Sequence, residues 1–321
     1  MLTSVGLGTD EIVCMPAADS VRLWKSAQGL ASDRSDAEQL AELGTVLAAM
    51  LPEAFLRSVH RFRNRGGDHD VLLLRGLLPA DVALEPTPGS ATSPRQGAAT
   101  SAALCLLAVM SLLGEPFTFG DLYGGRLVQD VVAAPGKESA QTSEGSDSFL
   151  EWHVEDAFST DRCDYFGLLC LRGDPAAATL LAPARALALP DEVRATLAQP
   201  RYAVLPDVAH GADARPETGV AVLTGPVDAP EIRFDPVYMV PADPADEPAR
   251  HAFECLTEAV GKAAVSCVLE PGDLLVVDNR RVAHARNPFP PRFDGSGRWL
   301  LRLMVCSSLP RHRRRDSRRA L

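Results

Sequence analysis

The chain has 321 residues, of which 46% are hydrophobic and 23% charged, a balance typical of a folded globular protein rather than a disordered one. Its formal net charge of −10 argues against a nucleic-acid partner held by a large basic surface. Seven cysteines without CxxC spacing, and a first segment without the pattern of a signal peptide, predict a cytoplasmic protein with reduced thiols.

Residues 1–115 are expected to be mainly helical. The segment DAEQLAELGTVLAAMLPEAFLRSVHRFRNRGG, residues 36–67, carries Leu40, Leu43, Leu47 and Leu51 at spacings of three and four. This period predicts an amphipathic helix that the two glycines end. The short apolar run DVLLLRGLLP that follows predicts a strand.

Residues 98–114, AATSAALCLLAVMSLLG, are apolar over nearly the length that a bilayer requires. The segment is rich in alanine and serine, and no second span accompanies it. These features favour a buried core helix, so no membrane partner is expected.

Residues 116–308 show many short strand-like runs separated by glycine, proline and aspartate. They predict a jelly roll, so the fold class is mainly β with helical additions at the N-terminus. The segment LEPGDLLVVDN, residues 269–279, is expected to form a hairpin around its Pro-Gly-Asp turn. One domain is expected over residues 1–321, with residues 309–321 as a basic, disordered tail.

Two polar stretches interrupt the strand pattern, residues 134–148 and residues 241–250. Both have the composition of a surface loop. The first directly precedes the segment FLEWHVEDAF, so it is either a plain loop or a lid over a substrate.

His153 and Glu155 lie two positions apart in FLEWHVEDAF, and on a strand they would project to the same face. A buried carboxylate requires a cationic partner, which a metal ion could provide. His284, in VVDNRRVAHARNPF, is the candidate third ligand. The three would form the facial triad of two histidines and one carboxylate that holds Fe(II). The alternative is a His-x-Glu pair that occurs by chance.

Arg298 and Arg302 follow His284 in the run GRWLLRLMV and have the same parity on a strand. Two guanidinium groups that face one cavity would bind carboxylates, because arginine presents a bidentate fork. The alternative is a pair of exposed arginines on an edge strand.

The blocks LEWHVEDAF and EPGDLLVVDNRRVAHARNPFPPRFDGSGRWLLRLMV resemble the clavaminate synthase-like branch of the Fe(II)/2-oxoglutarate-dependent oxygenases. This branch includes asparagine oxygenase and arginine β-hydroxylase. The resemblance extends from about Leu73 to Ser307. It implies a double-stranded β-helix, Fe(II) as the metal, and 2-oxoglutarate and O₂ as cosubstrates.

The resemblance also implies roles for individual residues. His153, Glu155 and His284 would be the iron ligands, and Arg298 would bind the distal carboxylate of 2-oxoglutarate. Arg302 would bind the α-carboxylate of a free amino-acid substrate. The same resemblance makes Gln129 and Glu155 contacts of the substrate α-amino group. A carboxylate at position 155 favours hydroxylation over halogenation, which uses a small residue there.

The segment IRFDPVYMV is the most informative about the substrate side chain. Asp235 matches an acidic residue that members of the family use to bind a distal polar group, and Asp207 is a second candidate acid. Val237 stands where the arginine hydroxylases would have another acid. A substrate that ends in a cation or a hydrogen-bond donor is expected, with hydroxylation at C3 or C4 of lysine or an arginine-like amino acid. The alternative for Asp235 is a turn residue before Pro236.

Three other interpretations remain open at this point. The same chemistry could act on an amino acid tethered to a carrier protein or placed in a peptide, although a thioester would leave Arg302 unpaired. It could also lead to desaturation or cyclisation. A protein of another class would be a non-catalytic, cupin-like metal sensor. Self-association into a homo-oligomer is compatible with each of them.

Overall fold

The computed structural model describes residues 7–8, 11–31, 37–65, 70–120, 123–205, 216–309 and 319–320. The candidate acid Asp207 lies outside these residues, as does most of the basic tail. Within the described residues the α-helices are α1 (Ala17–Leu30), α2 (Ala37–Ala48), α3 (Glu53–Arg65), α4 (Gly97–Met110), α5 (Asp191–Leu197) and α6 (Glu247–Lys262).

The strands of the described residues are β1 (Ile12–Cys14), β2 (Val71–Arg75), β3 (Glu115–Phe119), β4 (Val128–Val132), β5 (Leu150–His153), β6 (Tyr165–Arg172), β7 (Thr179–Pro183), β8 (Tyr202–Val204), β9 (Glu217–Val220), β10 (Leu223–Thr224), β11 (Glu231–Ile232), β12 (Met239–Pro241), β13 (Val265–Cys267), β14 (Leu274–Asp278), β15 (Val282–Arg286), β16 (Trp299–Cys306) and β17 (Arg319–Ala320).

The single long helix predicted for residues 36–67 is wrong, because the structure has two helices there. Helix α2 ends at Ala48 and α3 begins at Glu53, after a turn that includes Pro52. Proline lacks the backbone N–H that a helix interior needs, but it fits at the start of a helix. In the described chain no individual helix has the length and apolar character to cross a membrane; α2 and α3, bent by 116° at the break between them, meet both criteria only as a pair.

Helix α4 confirms the prediction of a buried core helix for the apolar segment. It packs with α1, α2 and α3 against one face of a large sheet. That sheet has the strand order β1, β2, β14, β6, β16, β3, β17, and β4 also pairs with β16. The predicted strand in DVLLLRGLLP is confirmed as β2, which lies between β1 and β14.

A second sheet of four strands, in the order β13, β7, β15, β5, faces the large sheet. Side chains on β16 alternate between the two sides of the large sheet, because successive residues of a strand point in opposite directions. Leu301 and Leu303 pack toward the helices, whereas Leu300 and Met304 pack toward the second sheet. The even-numbered residues of β16 therefore line the space between the two sheets.

The predicted hairpin at residues 269–279 is wrong. Strand β13 pairs with β7 in the second sheet, while β14 pairs with β2 and β6 in the large sheet. The Pro-Gly-Asp turn thus carries the chain from one sheet to the other. The second sheet is covered on its outer side by α5, α6 and two small sheets, made of β8, β9 and β12 and of β10 and β11.

Two further segments differ from their sequence-based description. The stretch at residues 241–250 is a loop only in its first part, since α6 begins at Glu247 with Asp246 as its N-cap. At the C-terminus, Arg319–Ala320 pairs with β3 as β17, so this part of the predicted disordered tail is a strand.

Candidate active site

Two histidines face each other across neighbouring strands of the second sheet. His153 is the last residue of β5, His284 lies in the middle of β15, and the two are directly opposite in the ladder. The flanking residues Trp152, Ala283 and Ala285 pack into the core on the outer side of this sheet. Both imidazoles therefore project inward, toward the large sheet.

Glu155 joins the two histidines, although it is not on the same strand as His153. Strand β5 ends at His153, and Glu155 begins a turn. The prediction that one strand carries both side chains is wrong, but the prediction that they meet is confirmed. One ligand atom from each of the three residues can be chosen so that all lie within 4.8 Å of one another.

Each histidine has a ring nitrogen that can bind a metal, but only His153 has a hydrogen bond on the other nitrogen. The buried Nδ1 of His284 has no hydrogen-bond partner among the described residues. His153 Nδ1 lies 2.7 Å from the carbonyl oxygen of Glu151, which can only accept, so Nδ1 carries the proton and Nε2 keeps its lone pair. His284 Nε2 lies 3.5 Å from Oε1 of Glu155, a separation compatible with two ligand atoms around one ion. The rings of His153 and His284 have centroids 4.1 Å apart.

The protonation states also fit a metal site. Burial would raise the pKa of Glu155, but the Arg302 guanidinium and the imidazoles of His284 and His153 outweigh it and hold this pKa below its usual range. Burial and the neighbouring His284 lower the pKa of His153, although Glu155 and Asp235 act in the opposite direction. An ionised carboxylate and a neutral imidazole are the forms that bind a divalent metal.

Arg302 projects from the inner face of β16 and forms an ion pair with Glu155. Its Nη1 lies 2.9 Å from both carboxylate oxygens. Its Nε and Nη2 donate to Oε1 of Gln129, at 3.0 and 2.6 Å. The ring of Tyr123 lies 5.9 Å from the centre of the guanidinium. Arg302 is therefore fixed on three sides by groups of the protein.

Gln129 lies behind Arg302 on β4, and its residue is 1% exposed. Its carbonyl oxygen accepts from Arg302, and its Nε2 donates to Oγ1 of Thr118 at 3.3 Å. A contact between Gln129 and a substrate amino group would require its amide to give up one of these partners. In this structure Gln129 positions Arg302.

Arg298 directly precedes β16 and lines the same cleft as Leu300 and Arg302, as the shared parity predicts. Its residue is 7% exposed, and its guanidinium makes no hydrogen bond or ion pair with any residue that the structure describes. Burial lowers the pKa of Arg298 to about 10. A buried guanidinium in this position is suited to bind an anionic ligand.

The mouth of the cleft is acidic. Glu151 and Asp235 line it together with the exposed side chain of Val237. Asp235 also forms a turn, because its Oδ1 accepts from the N–H groups of Val237 and Tyr238 at 2.9 and 3.2 Å. The two sequence-based interpretations of Asp235, a turn residue and a cleft acid, are thus compatible.

Four other residues of the site were not found from the sequence: Tyr123, Thr179, Asn279 and Arg286. Thr179 and Arg286 lie opposite each other on β7 and β15, and both line the cleft. Arg286 could have been found, because it has the same parity as His284 on the same strand. Asn279 and Tyr123 carry no such signal, since Asn279 lies in a turn after β14 and Tyr123 begins a single turn of 3₁₀ helix.

Comparison with known proteins agrees with this geometry. The family model described as "Taurine catabolism dioxygenase TauD, TfdA family" matches residues 67–304. Among curated proteins, the chain is 34% identical to enduracididine beta-hydroxylase of Streptomyces hygroscopicus, over 82% of this chain and 84% of that protein. It is 35% identical to L-asparagine oxygenase of Streptomyces coelicolor (90% and 86%) and 34% identical to clavaminate synthase 2 of Streptomyces clavuligerus (85% and 85%).

Two crystal structures are similar over nearly the whole chain. Asparagine oxygenase in complex with Fe(II), 2S,3S-3-hydroxyasparagine and succinate has a TM-score of 0.86 and 33% identity, over 95% of this chain and 96% of that one. The non-heme iron oxygenase OrfP with Fe and alpha-ketoglutaric acid has a TM-score of 0.86 and 32% identity, over 95% and 97%. These similarities confirm the resemblance inferred from the two sequence blocks. The chain belongs to the TauD/TfdA dioxygenase family and is an Fe(II)- and 2-oxoglutarate-dependent oxygenase.

Proposed function

We propose that this protein hydroxylates an unactivated C–H bond, at C3 or C4, of a free polar L-amino acid. Lysine and arginine-like amino acids are the first candidates. The reaction would convert the amino acid, 2-oxoglutarate and O₂ into the hydroxyamino acid, succinate and CO₂. The observation that carries the proposal is the charge distribution of the cleft, which has the buried Arg298 at its inner end and Glu151 and Asp235 at its mouth.

The side chains of His153, Glu155 and His284 all face this cleft. His153, Glu155 and His284 would hold Fe(II), which supplies the activation of O₂ when it is bound. Arg298 would bind the distal carboxylate of 2-oxoglutarate on one side of the metal. On the other side, Asp235 would bind the cationic end of the substrate. Asp207, as a second acid for that end, stays a prediction.

Arg302 would bind the α-carboxylate of the amino acid. Its contacts with Glu155 and Gln129 use four of its five N–H groups and leave one on Nη2 for a substrate. Glu155 and Gln129 would contact the α-amino group, as the family resemblance implies, and Gln129 would give up one of its present partners to do so. By holding Arg302 rigidly, the protein fixes the distance between the substrate backbone and the metal, which decides which carbon is presented.

The ion pair with Glu155 changes one argument about the substrate. From the sequence, a substrate tethered through a thioester is disfavoured because it would leave Arg302 unpaired. In the structure Arg302 already has a carboxylate partner, so this reason does not hold. The preference for a free amino acid rests instead on the relatives, whose names and bound products are those of single amino acids.

We also propose that the chain is a single domain built on a double-stranded β-helix. The two facing sheets support a double-stranded β-helix, since their inner faces enclose one apolar cluster. A single domain is supported by β2, which belongs to the N-terminal part and pairs with β14 of the large sheet.

The test is to incubate the protein with Fe(II), 2-oxoglutarate, O₂ and each free L-amino acid in turn. Mass spectrometry would follow succinate together with any product that is heavier by one oxygen atom. We expect both signals with a basic amino acid. The Glu155→Ala variant is the control and should give neither. Succinate without a hydroxylated product from any free amino acid would contradict the proposal and indicate uncoupled turnover or a tethered substrate.

A further inference from the structure

Arg286 is a second buried arginine at the inner end of the cleft. It lies two residues after His284 on the inward face of β15, and its residue is 5% exposed. Its guanidinium lies 5.1 Å from the ring centre of Phe289, and that of Arg298 lies 5.5 Å from the same ring. The two guanidinium groups are thus neighbours around one aromatic side chain.

These two charges are not neutralised by the protein. Neither Arg286 nor Arg298 forms an ion pair with a carboxylate among the described residues. The Nε of Arg286 is buried and has no hydrogen-bond partner among the residues that the structure describes. Two like charges kept together in a buried site are costly unless an anion occupies the space between them.

The rest of the Arg286 guanidinium holds a loop in place. Its Nη1 donates to the carbonyl of Gly145 at 2.6 Å, and its Nη2 donates to the carbonyl of Ser148 at 3.3 Å. Between these two residues, the carbonyl of Ser146 accepts from the N–H of Phe289 at 2.8 Å. These hydrogen bonds therefore fix both the loop and the side chain of Arg286.

We propose that Arg286 is a positioning residue that makes the site selective for a 2-oxo acid with two carboxylates. This inference rests on the proposed function, in which Arg298 binds the distal carboxylate directly. Arg286 adds a second positive charge to the same buried, poorly solvated part of the cleft, where its electrostatic interaction with that carboxylate would be strong. It also holds the loop at residues 145–148 against Phe289, so that Arg298 keeps its orientation.

The experiment compares two cosubstrates that differ only at the distal end. Binding of 2-oxoglutarate and of 2-oxobutyrate, which lacks the distal carboxylate, is measured by calorimetry on the Fe(II) protein without O₂. In Arg286→Gln we expect the affinity for 2-oxoglutarate to fall about tenfold or more. The affinity for 2-oxobutyrate should change by less than about twofold, since its bonds to the metal are the same.

Two further variants make the result specific. Arg286→Lys keeps the charge and should retain most of the preference for 2-oxoglutarate. Arg286→Met also removes the charge and replaces the glutamine variant if that protein does not fold. Arg172→Gln is the matched control, because Arg172 also donates to two loop carbonyls, those of Leu84 and Glu85, but lies outside the cleft. It should leave the ratio of the two affinities unchanged.

The outcomes separate this inference from the proposed function. If Arg286→Gln weakens both 2-oxo acids equally, or neither, Arg286 has only a structural role and the inference is wrong. If the unaltered protein itself shows no preference for 2-oxoglutarate over 2-oxobutyrate, the proposed role of Arg298 fails as well.

Discussion

Asn279 holds the backbone of Glu155 on both sides. Its Oδ1 accepts from the N–H of Glu155 at 2.7 Å, and its Nδ2 donates to the carbonyl of Glu155 at 3.0 Å and to that of Cys163 at 3.1 Å. Strand β5 has ended two residues earlier, so no neighbouring strand supplies these bonds. The amide of Asn279 replaces them and fixes the direction in which the carboxylate projects.

The variant Asn279→Ala tests this relationship. It would leave buried backbone groups of Glu155 and Cys163 without partners, so we expect the free energy of unfolding to fall by about 1–3 kcal/mol. Fe(II) or Mn(II) should bind at least about tenfold more weakly, because a ligand has lost its support. Denaturant unfolding and metal titration measure the two effects. Asn287→Ala, a half-buried asparagine after β15, is the control, and an unchanged metal affinity in Asn279→Ala would argue against the relationship.

Removing Arg298 should affect the cosubstrate and leave stability intact. In Arg298→Gln the apparent KM for 2-oxoglutarate is expected to rise about tenfold to a hundredfold, because a charge-assisted bond is lost. The apparent KM of the amino acid should stay nearly constant. Since burial disfavours the charge of Arg298, the melting temperature without ligands should be equal or higher. A lower melting temperature would mean that Arg298 is structural. Arg292→Gln, on a neighbouring loop, is the control.

To test whether Asp235 binds the substrate, the substitution must keep the turn that its side chain stabilises. Asparagine retains an oxygen that can accept from Val237 and Tyr238 N–H but removes the negative charge. We expect Asp235→Asn to raise the apparent KM for a basic amino acid about tenfold or more, and to leave that for 2-oxoglutarate unchanged. Steady-state assays that vary one cosubstrate at a time measure this. Equal effects on both constants would show that Asp235 does not bind the substrate.

Gly145 permits a close approach between two parts of the loop that precedes β5. A Cβ at this position would lie 2.1 Å from the carbonyl oxygen of Ala140, so Gly145→Ala must displace the loop. We expect the free energy of unfolding to fall by about 1–3 kcal/mol. Gly261→Ala, in α6 with no atom within 4 Å of the new Cβ, is the matched control and should be neutral or stabilising. Thermal and denaturant unfolding of both variants distinguish these outcomes.

The part of the site that follows the period of a strand could be predicted from the sequence. Arg298 and Arg302 share a side because alternate residues on a strand do, and the inward direction of His284 follows the same rule. The position of Glu155 could not be derived in this way. Its direction depends on Asn279, which is 124 residues away in the sequence, and no local pattern reports such a contact.

Of the two wrong fold predictions, the hairpin also depends on contacts between segments that are distant in the sequence. A Pro-Gly-Asp turn has the same composition whether its two strands pair with each other or enter different sheets, and here β13 and β14 separate. The break before α3 could have been predicted, because Pro52 was visible within the helical period. The ion pair between Arg302 and Glu155 could not, since it joins two groups that the sequence assigns to different ligands.

The two histidines proposed to bind the metal and the two arginines proposed to bind carboxylates directly come from opposite walls of the cleft. His153 and His284 belong to the four-stranded sheet, whereas Arg298 and Arg302 lie at and within β16 of the large one. Substitutions in the loops at the mouth, and those on β16 that keep the Arg302–Glu155 ion pair, could therefore alter which acids are accepted while the metal stays bound. Over evolutionary time, such a division of labour would allow new substrates to be acquired without rebuilding the oxidising centre.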